Sequence, residues 1–438
     1  MHLSPLCVKI IYRRLLIHQE QQMRLQTILN SCQKFKSFVY QKAEFEHSED
    51  NKHLYITVVP RKNSKGICSG CNKLAGCYDH LPERQFEFVP LWGFSVYLRY
   101  KMRRVNCMDC GVKVESVPWS DGKQTMTKTM MQFLANWAKK LSWQETARSF
   151  NTSWHKVFSS VKYIVDWGLE NRTLNDVASI GIDEIAWKKG HKYLTLVYQI
   201  DRHCIRLLWI GKERTVKTLL GFFRMFGKEN TGRLQHICSD MWKAYLKVIK
   251  KKAPQALHIL DRFHIVAKIN KAIDEVRANE HRKMQKDGYE PILTKSRWCL
   301  LKRKENLTDK QEATLNELVK YNLQSVRAYL LKEDFHSFWE YVSSAWAEKF
   351  LERWCTRVMR SKIEPMKKVA KTIRKHKPLI LNWFKAKKMF SSGIVEGLNN
   401  KVKVVTKKAY GFREFSCIEI ALYHQLGKLP EPPMTHRF

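Results

Sequence analysis

Two cysteine pairs, Cys68-Ser-Gly-Cys71 and Cys107-Met-Asp-Cys110, constrain the amino-terminal part of this chain more than any other feature. Two thiolates on one tight knuckle supply half of a tetrahedral site, so two knuckles can hold one Zn²⁺. The pairs lie 35 residues apart, further than the roughly 15–20 usual for such knuckles, which leaves unliganded core cysteines as the other reading. Cys77 falls outside the pattern and suits packing. The intervening Arg84–Lys101 is strand-like, as expected of a ribbon whose β-hairpins are stapled at the knuckles. A zinc-finger domain over 25–120 is therefore expected.

The chain has 438 residues, 44% of them hydrophobic and 12% aromatic, enough for several packed domains. Lys plus Arg number 79 and Asp plus Glu 41, giving +38, the charge of a nucleic-acid binder. The charge is spread along the length and not gathered beside an apolar anchor, so a membrane surface is the poorer partner. No stretch approaches the run of about 18 apolar residues that a transmembrane helix needs. Residues 1–17 are broken by Lys9, Arg13 and Arg14 and lack a small-residue cleavage site, which argues against a signal peptide. Residues 1–24 read as an extension, and Met23 is a natural alternative start. Twelve cysteines in such a chain point to a reducing, cytoplasmic setting without disulfides.

Residues 127–169 switch to helical period. Met130–Leu141 is followed by Trp143–Phe150, a polar turn at Asn151-Thr152, and a helix from Ser153 to Val165 with Ser153 or Thr152 as its cap. That order suits a helix-turn-helix over 121–172, whose second helix offers Trp154, His155, Lys156 and Ser159 to a major groove. An ordinary helical hairpin is the alternative.

From 179 the period shortens to that of strands. Ser179–Trp187, Lys192–Ile200 and Ile205–Ile210 make a meander, Arg214–Phe226 is helical, and Leu234–Asp240 is a further strand leading into a helix over 241–252. Meander, helix, strand, helix is the order of a ribonuclease-H-like fold, here over 173–264. Ile180 and Ile182 alternate with Gly181 and Asp183, which marks a half-buried strand with Asp183 turned from its apolar face. Asp240 ends its strand, where sites of open α/β sheets gather. In the helical segment Ser391–Lys408, positions 396, 399/400, 403 and 407 share a face, so Glu396, Asn400, Lys403 and Lys407 form a polar stripe. Two aspartates and a glutamate are hard ligands for paired Mg²⁺ (or Mn²⁺) ions. Taken singly, each acid reads more readily as an N-cap or a surface charge; three in matching contexts weaken that reading.

Residues 265–389 are helical, basic and punctuated by Trp298, Trp339, Trp346, Trp354 and Trp383. This is expected to be an inserted domain whose tryptophans serve mainly as core. The core's final helix lies in 390–428, and the Pro-containing tail, 429–438, is expected to fray. The overall fold class is multidomain α+β: zinc ribbon, helix-turn-helix, and a ribonuclease-H-like α/β core interrupted by a helical insertion.

Four segments together carry a resemblance: Gly181-Ile-Asp-Glu184, Ser239-Asp-Met-Trp-Lys-Ala-Tyr245, Asp261-Arg-Phe-His-Ile-Val266, and Ser392-Gly-Ile-Val-Glu-Gly-Leu-Asn-Asn-Lys-Val-Lys403 with Ala409-Tyr-Gly-Phe412. Over about residues 25–428 the chain resembles bacterial insertion-sequence transposases of the DDE class, in the subgroup with a zinc finger before the helix-turn-helix. The resemblance implies that Asp183, Asp240 and Glu396 are the catalytic, Mg²⁺-binding triad, with Asp261 and His264 supporting. It implies that Cys68, Cys71, Cys107 and Cys110 bind zinc and that the amino-terminal modules recognise terminal inverted repeats. Asn400, Lys403 and Lys407 would then contact phosphates near the scissile bond. The expected partners are double-stranded DNA, both element ends and target, and further copies of the chain in a homodimer or higher oligomer. Two rivals stand beside this reading: a catalytically silent DNA-binding regulator, and a structure-specific nuclease on the same fold.

Overall fold

The computed structural model describes residues 25–47, 52–290, 292–388 and 392–433, so the amino-terminal extension and the alternative start at Met23 lie outside the described residues. The chain forms two compact units, one of residues 1–172 with 429–438 and the other of 173–428.

The first unit opens with helix α1 (Leu25–Cys32) and strands β1 (Phe38–His47), β2 (Lys52–Pro60), β3 (Gly66–Cys68), β4 (Leu74–Leu91), β5 (Phe94–Cys107) and β6 (Gly111–Ser116). They form one mixed sheet in the order β1-β2-β5-β4-β3-β6, with β5 also paired to β6. The long β4–β5 hairpin turns at Trp92 and Gly93, whose φ values of 47° and 82° give the doubly left-handed turn that matches the twist of its strands. Phe35, Phe38, Tyr40, Phe86, Tyr100 and the fully buried Trp119 fill its core. Three helices follow: α2 (Lys128–Lys140), α3 (Trp143–Ser149) and α4 (Trp154–Asn171). Thr127 caps α2, a Ser142/Glu145 capping box starts α3, and Ser153 caps α4.

The carboxyl-terminal tail does not fray over its described part. Gln132 Nε2 donates to the Pro432 carbonyl at 3.3 Å and Lys139 pairs with Glu431. Gly168 leaves room for Leu429 and Pro430, which a Cβ there would meet at 2.7 and 2.8 Å. These are burial and hydrogen-bonding contacts, to which terminal position is a poor guide.

The second unit is built on β7 (Ser179–Lys188), β8 (Lys192–Asp201), β9 (Cys204–Lys212), β10 (His236–Ser239) and β11 (Leu257–Leu260), in the order β11-β10-β7-β8-β9. β7, β8 and β9 form an antiparallel meander, while β10 and β11 run parallel to β7 and to each other. Helices α5 (Val216–Phe226), α6 (Lys228–Arg233) and α7 (Lys243–Lys252) alternate with the later strands. One face of the sheet, with Ile180, Ile182, Val197 and Leu208, packs on Leu219, Phe222 and Phe226 of α5 and Val248 and Ile249 of α7.

After β11 the chain runs through α8 (Arg262–Lys286), α9 (Arg297–Leu301), α10 (Asp309–Val319), α11 (Gln324–His336), α12 (Ser344–Arg360) and α13 (Glu364–Lys385). Trp339, Trp354 and Trp383 are buried there among Phe335, Phe338 and Phe384. Trp298 and Trp346 are 53% and 59% exposed, so only three of the five tryptophans are core. The helices α14 (Ser392–Lys408) and α15 (Phe415–Leu426) return to the sheet and pack on β7, β8 and β9.

That return corrects the reading of β7 as half-buried. Residues 179–182 are buried on both faces. Gly181 lies under α14, where an added Cβ would stand 2.7 Å from Val395 Cγ2, so glycine permits the helix to seat. The alternation in the sequence was real, but its second face is covered by a helix more than 200 residues away in the chain.

Candidate active site

Strand register puts three acids in one row. β10 pairs with β7 at Cys238↔Gly181 and with β11 at Ser239↔Leu260. Continuing each ladder sets Asp240 level with Asp183 and with Asp261; Asp240 and Asp261 follow the carboxyl ends of β10 and β11, the side where α/β sheets gather their sites, and Asp183 lies midway along β7, just past its parallel pairing with β10. Asp183 shares the strand face of Gly181 and so meets α14.

Each acid is held by the backbone that follows it. Asp183 Oδ1 accepts from Glu184 N–H at 2.8 Å, Asp240 Oδ1 from Trp242 N–H at 2.9 Å, and Asp261 Oδ1 from Phe263 N–H at 2.8 Å. Asp261 is thereby the N-cap of α8. The other Asp183 oxygen accepts from Asn399 Nδ2 at 2.5 Å, and Asn399 accepts from the buried Tyr198 hydroxyl at 2.9 Å. His264 Nε2 stands 3.8 Å from Asp183 and 4.0 Å from Asp261. Behind Asp240, Ser239 Oγ lies 2.8 Å from Nε2 of buried His258, whose pKa burial pushes down to about 4.

Burial raises the pKa of Asp183 and of Asp261, and the charges of Asp183 and Glu396 raise Asp261 further. Glu184, on the opposite strand face, is pushed up to about 8 by burial and by Asp240, against the pull of Arg214. Crowded, half-desolvated carboxylates repel one another unless a cation sits among them. Their oxygen-only donor set suits a hard divalent ion.

Glu396 is an exposed residue of α14, with Asn400, Lys403 and Lys407 also exposed along that helix. Its charge is felt at Asp261. The helix residue that reaches Asp183 is Asn399, where the sequence reading had named Asn400. The 3.6-residue period places both near one face, and only the seating of Val395 on Gly181 distinguishes them.

Sequence reasoning also passed over Arg214 and Glu184. Arg214 Nε pairs with Glu184 at 3.0 Å and its Nη2 with Asp240 at 3.4 Å, while its guanidinium lies over the Trp242 ring. Beside it opens a cavity of 470 Å³ lined by Arg214, Asp240, Trp242, Lys243, His264 and Lys268. An acid adjoining a cationic pocket is suited to a phosphate ester.

A transposase family, of the DDE type and ISL3 group, matches residues 180–422, more than half of the chain and all four acids. The chain belongs to that family. It is 28% identical over 351 residues to the transposase for insertion sequence element IS1001 of Bordetella parapertussis, covering 80% of this chain and 86% of that protein. It is likewise 28% identical over 434 residues to the transposase for insertion sequence element IS1557 of Mycobacterium tuberculosis, covering 92% and 95%.

The transposase's other cluster lies in its first unit. The sulfurs of Cys68, Cys71, Cys107 and Cys110 all lie within 4.8 Å of one another, with Cys71 and Cys107 at 3.4 Å. Among the described residues this is the one group of three or more His, Cys, Asp or Glu drawn so tightly together. Backbone amides of Cys71 and Gly70 pull the Cys68 thiol down to about 7, whereas the neighbouring Cys71 pushes Cys110 up to about 12. Four thiols so placed ionise together only around a cation, and the set fits a structural zinc. Cys77 is exposed and outside the cluster.

On α4, His155 is exposed. Lys156 is not free as the sequence suggested: its Nζ pairs with the buried Glu87. Trp154 stacks on Phe158 and touches Trp143, and Ser159 is half-buried. A helical wheel cannot show that a facing strand supplies Glu87. Among the described residues, no helix is long and apolar enough to cross a membrane.

Proposed function

We propose that this transposase binds the terminal inverted repeats of an insertion sequence, cleaves DNA at the element ends and joins the freed 3′-hydroxyls to target DNA. The observation that carries the reading is the row Asp183–Asp240–Asp261 across three adjacent parallel strands, with the Glu396 helix packed against β7. Order and pairing of the five strands support a ribonuclease-H-like core. Two Mg²⁺ ions held by Asp183, Asp240 and Glu396 would supply activation of the attacking oxygen and stabilisation of the leaving one. Asn399 and the Glu184 amide each hold one oxygen of the Asp183 carboxylate and so fix its orientation. Arg214, fixed by Glu184, offsets the charge on Asp240. His264 bridges Asp183 and Asp261, and Lys403 and Lys407 hold backbone phosphates without reading sequence.

In the first unit, zinc on the four cysteines braces the ribbon, and α3–α4 act as the helix-turn-helix that reads the repeat, with His155 at its exposed start. Joining two ends requires two active sites, so the working form is a homodimer or larger on DNA. The deciding experiment supplies pre-cleaved element ends, a target plasmid and Mg²⁺. Joined products are expected; cleavage of uncut ends without joining would leave a nuclease, and DNA binding without either would leave a silent regulator.

A further inference from the structure

The carboxyl end of α14 holds a tyrosine where helices usually place glycine. Tyr410 has φ 53°; its N–H donates to the Lys407 carbonyl at 3.0 Å and the Gly411 N–H to the Thr406 carbonyl at 2.9 Å. This is a helix ending whose left-handed residue is ordinarily glycine, because a Cβ there crowds the next carbonyl. The tyrosine side chain is 99% exposed, so packing within the chain does not offset the strain. Strained residues cluster where a chain meets its ligands.

Tyr410 stands at a groove of 430 Å³ between β7 and α14. Ile185 and Trp187 form one wall and Val402 the other, with Lys403 and Lys407 also lining it. The groove leads away from the acids. Ile185 and Trp187 lie two and four residues beyond Asp183 on the same strand, about 7–13 Å at the strand rise. Val402 and Lys403 lie one turn beyond Asn399, which holds Asp183. Apolar walls, an exposed ring and lysines are the elements of a single-strand binding track, in which rings stack bases and cations take phosphates. Paired bases within a duplex are already stacked on both faces and offer no ring to Tyr410.

We propose that this groove takes an unpaired nucleotide of the DNA strand, within a few nucleotides of the phosphate at the carboxylate row. The base stacks on Tyr410 and the flanking phosphates meet Lys403 and Lys407. The proposal rests on the transposase reading above, since it takes DNA to be the occupant.

The test uses the full chain in EDTA, so that chemistry plays no part. One probe is a blunt duplex, the other the same duplex with a four-nucleotide unpaired 3′ tail carrying 2-aminopurine. Tail fluorescence should be quenched on binding, and Tyr410→Ala should relieve the quench and weaken tailed-probe binding about tenfold while leaving the blunt duplex within about twofold. Tyr410→Phe, which keeps the ring, should behave as wild type. Equal loss on both probes, or no loss on either, would overturn the groove as a nucleotide site while leaving the transposase reading intact. Failure of the wild-type chain to bind either probe would overturn both.

Discussion

The four cysteines and the row of carboxylates are built in opposite ways. The four cysteines come from two short knuckles, their sulfurs all within 4.8 Å of one another, and nothing in their geometry leaves a place for a substrate. The carboxylates come from three neighbouring strands and a distant helix, spread over residues 183–396, and one of them, Asp240, lines a 470 Å³ cationic cavity. Closed sites hold metal as part of the fold, whereas open ones keep coordination positions for reacting groups. The first arrangement suits a metal that holds a fold together, the second one that meets a substrate.

The largest effects expected are those that break the open site. Asp183→Asn and Asp240→Asn should each lower cleavage and joining by about three orders of magnitude or more, with binding of the element end within about twofold. Each amide keeps the shape and removes the charge. Gel assays of cut and joined products beside a binding titration measure both. Comparing Glu396→Gln with Asp261→Asn sharpens the point. Loss in the first alone assigns the third ligand to Glu396, whereas substantial activity retained there with loss in the second moves it to Asp261.

Breaking the closed site should act on stability and recognition instead. Purified protein is expected to contain one Zn²⁺ per chain by elemental analysis, and Cys68→Ser or Cys107→Ser should lose it. Structural zinc in small fingers is worth about 10–16 kcal/mol of apparent binding energy, so the first unit should unfold or become protease-sensitive while the second keeps its own melting transition. Purified wild-type protein without zinc would refute the comparison at its root.

The smallest effects should appear in the salt dependence of DNA binding. Lys403→Ala and Lys407→Ala should weaken binding to every sequence and reduce the log–log salt slope by about 0.9 each. His155→Ala should instead narrow the preference for the repeat over random duplex, because only base contacts carry sequence information. Identical loss patterns for the two regions would erase the division between reading and catalysis. Lys156→Ala is expected to act partly through the fold, as its amine is engaged by Glu87.

Sequence alone determined the local features of both clusters. Cysteine spacing located the knuckles, period-2 and period-3.6 patterns located β7 to β10 and α14, and turn residues located the start of α4, because backbone preference and side-chain alternation act over a few residues. Asp261 illustrates the boundary: its motif was legible, but β11 before it was too short to declare itself, and only its pairing with β10 sets the acid in line with Asp240. Tertiary structure decided the rest. It chose Asn399 over Asn400 as the partner of Asp183, engaged Lys156 with Glu87, set Arg214 between Glu184 and Asp240, and returned the tail to the first unit. Each of these depends on which residue from a remote segment arrives opposite, and that is fixed by sheet register and helix seating, not by the local pattern of either segment.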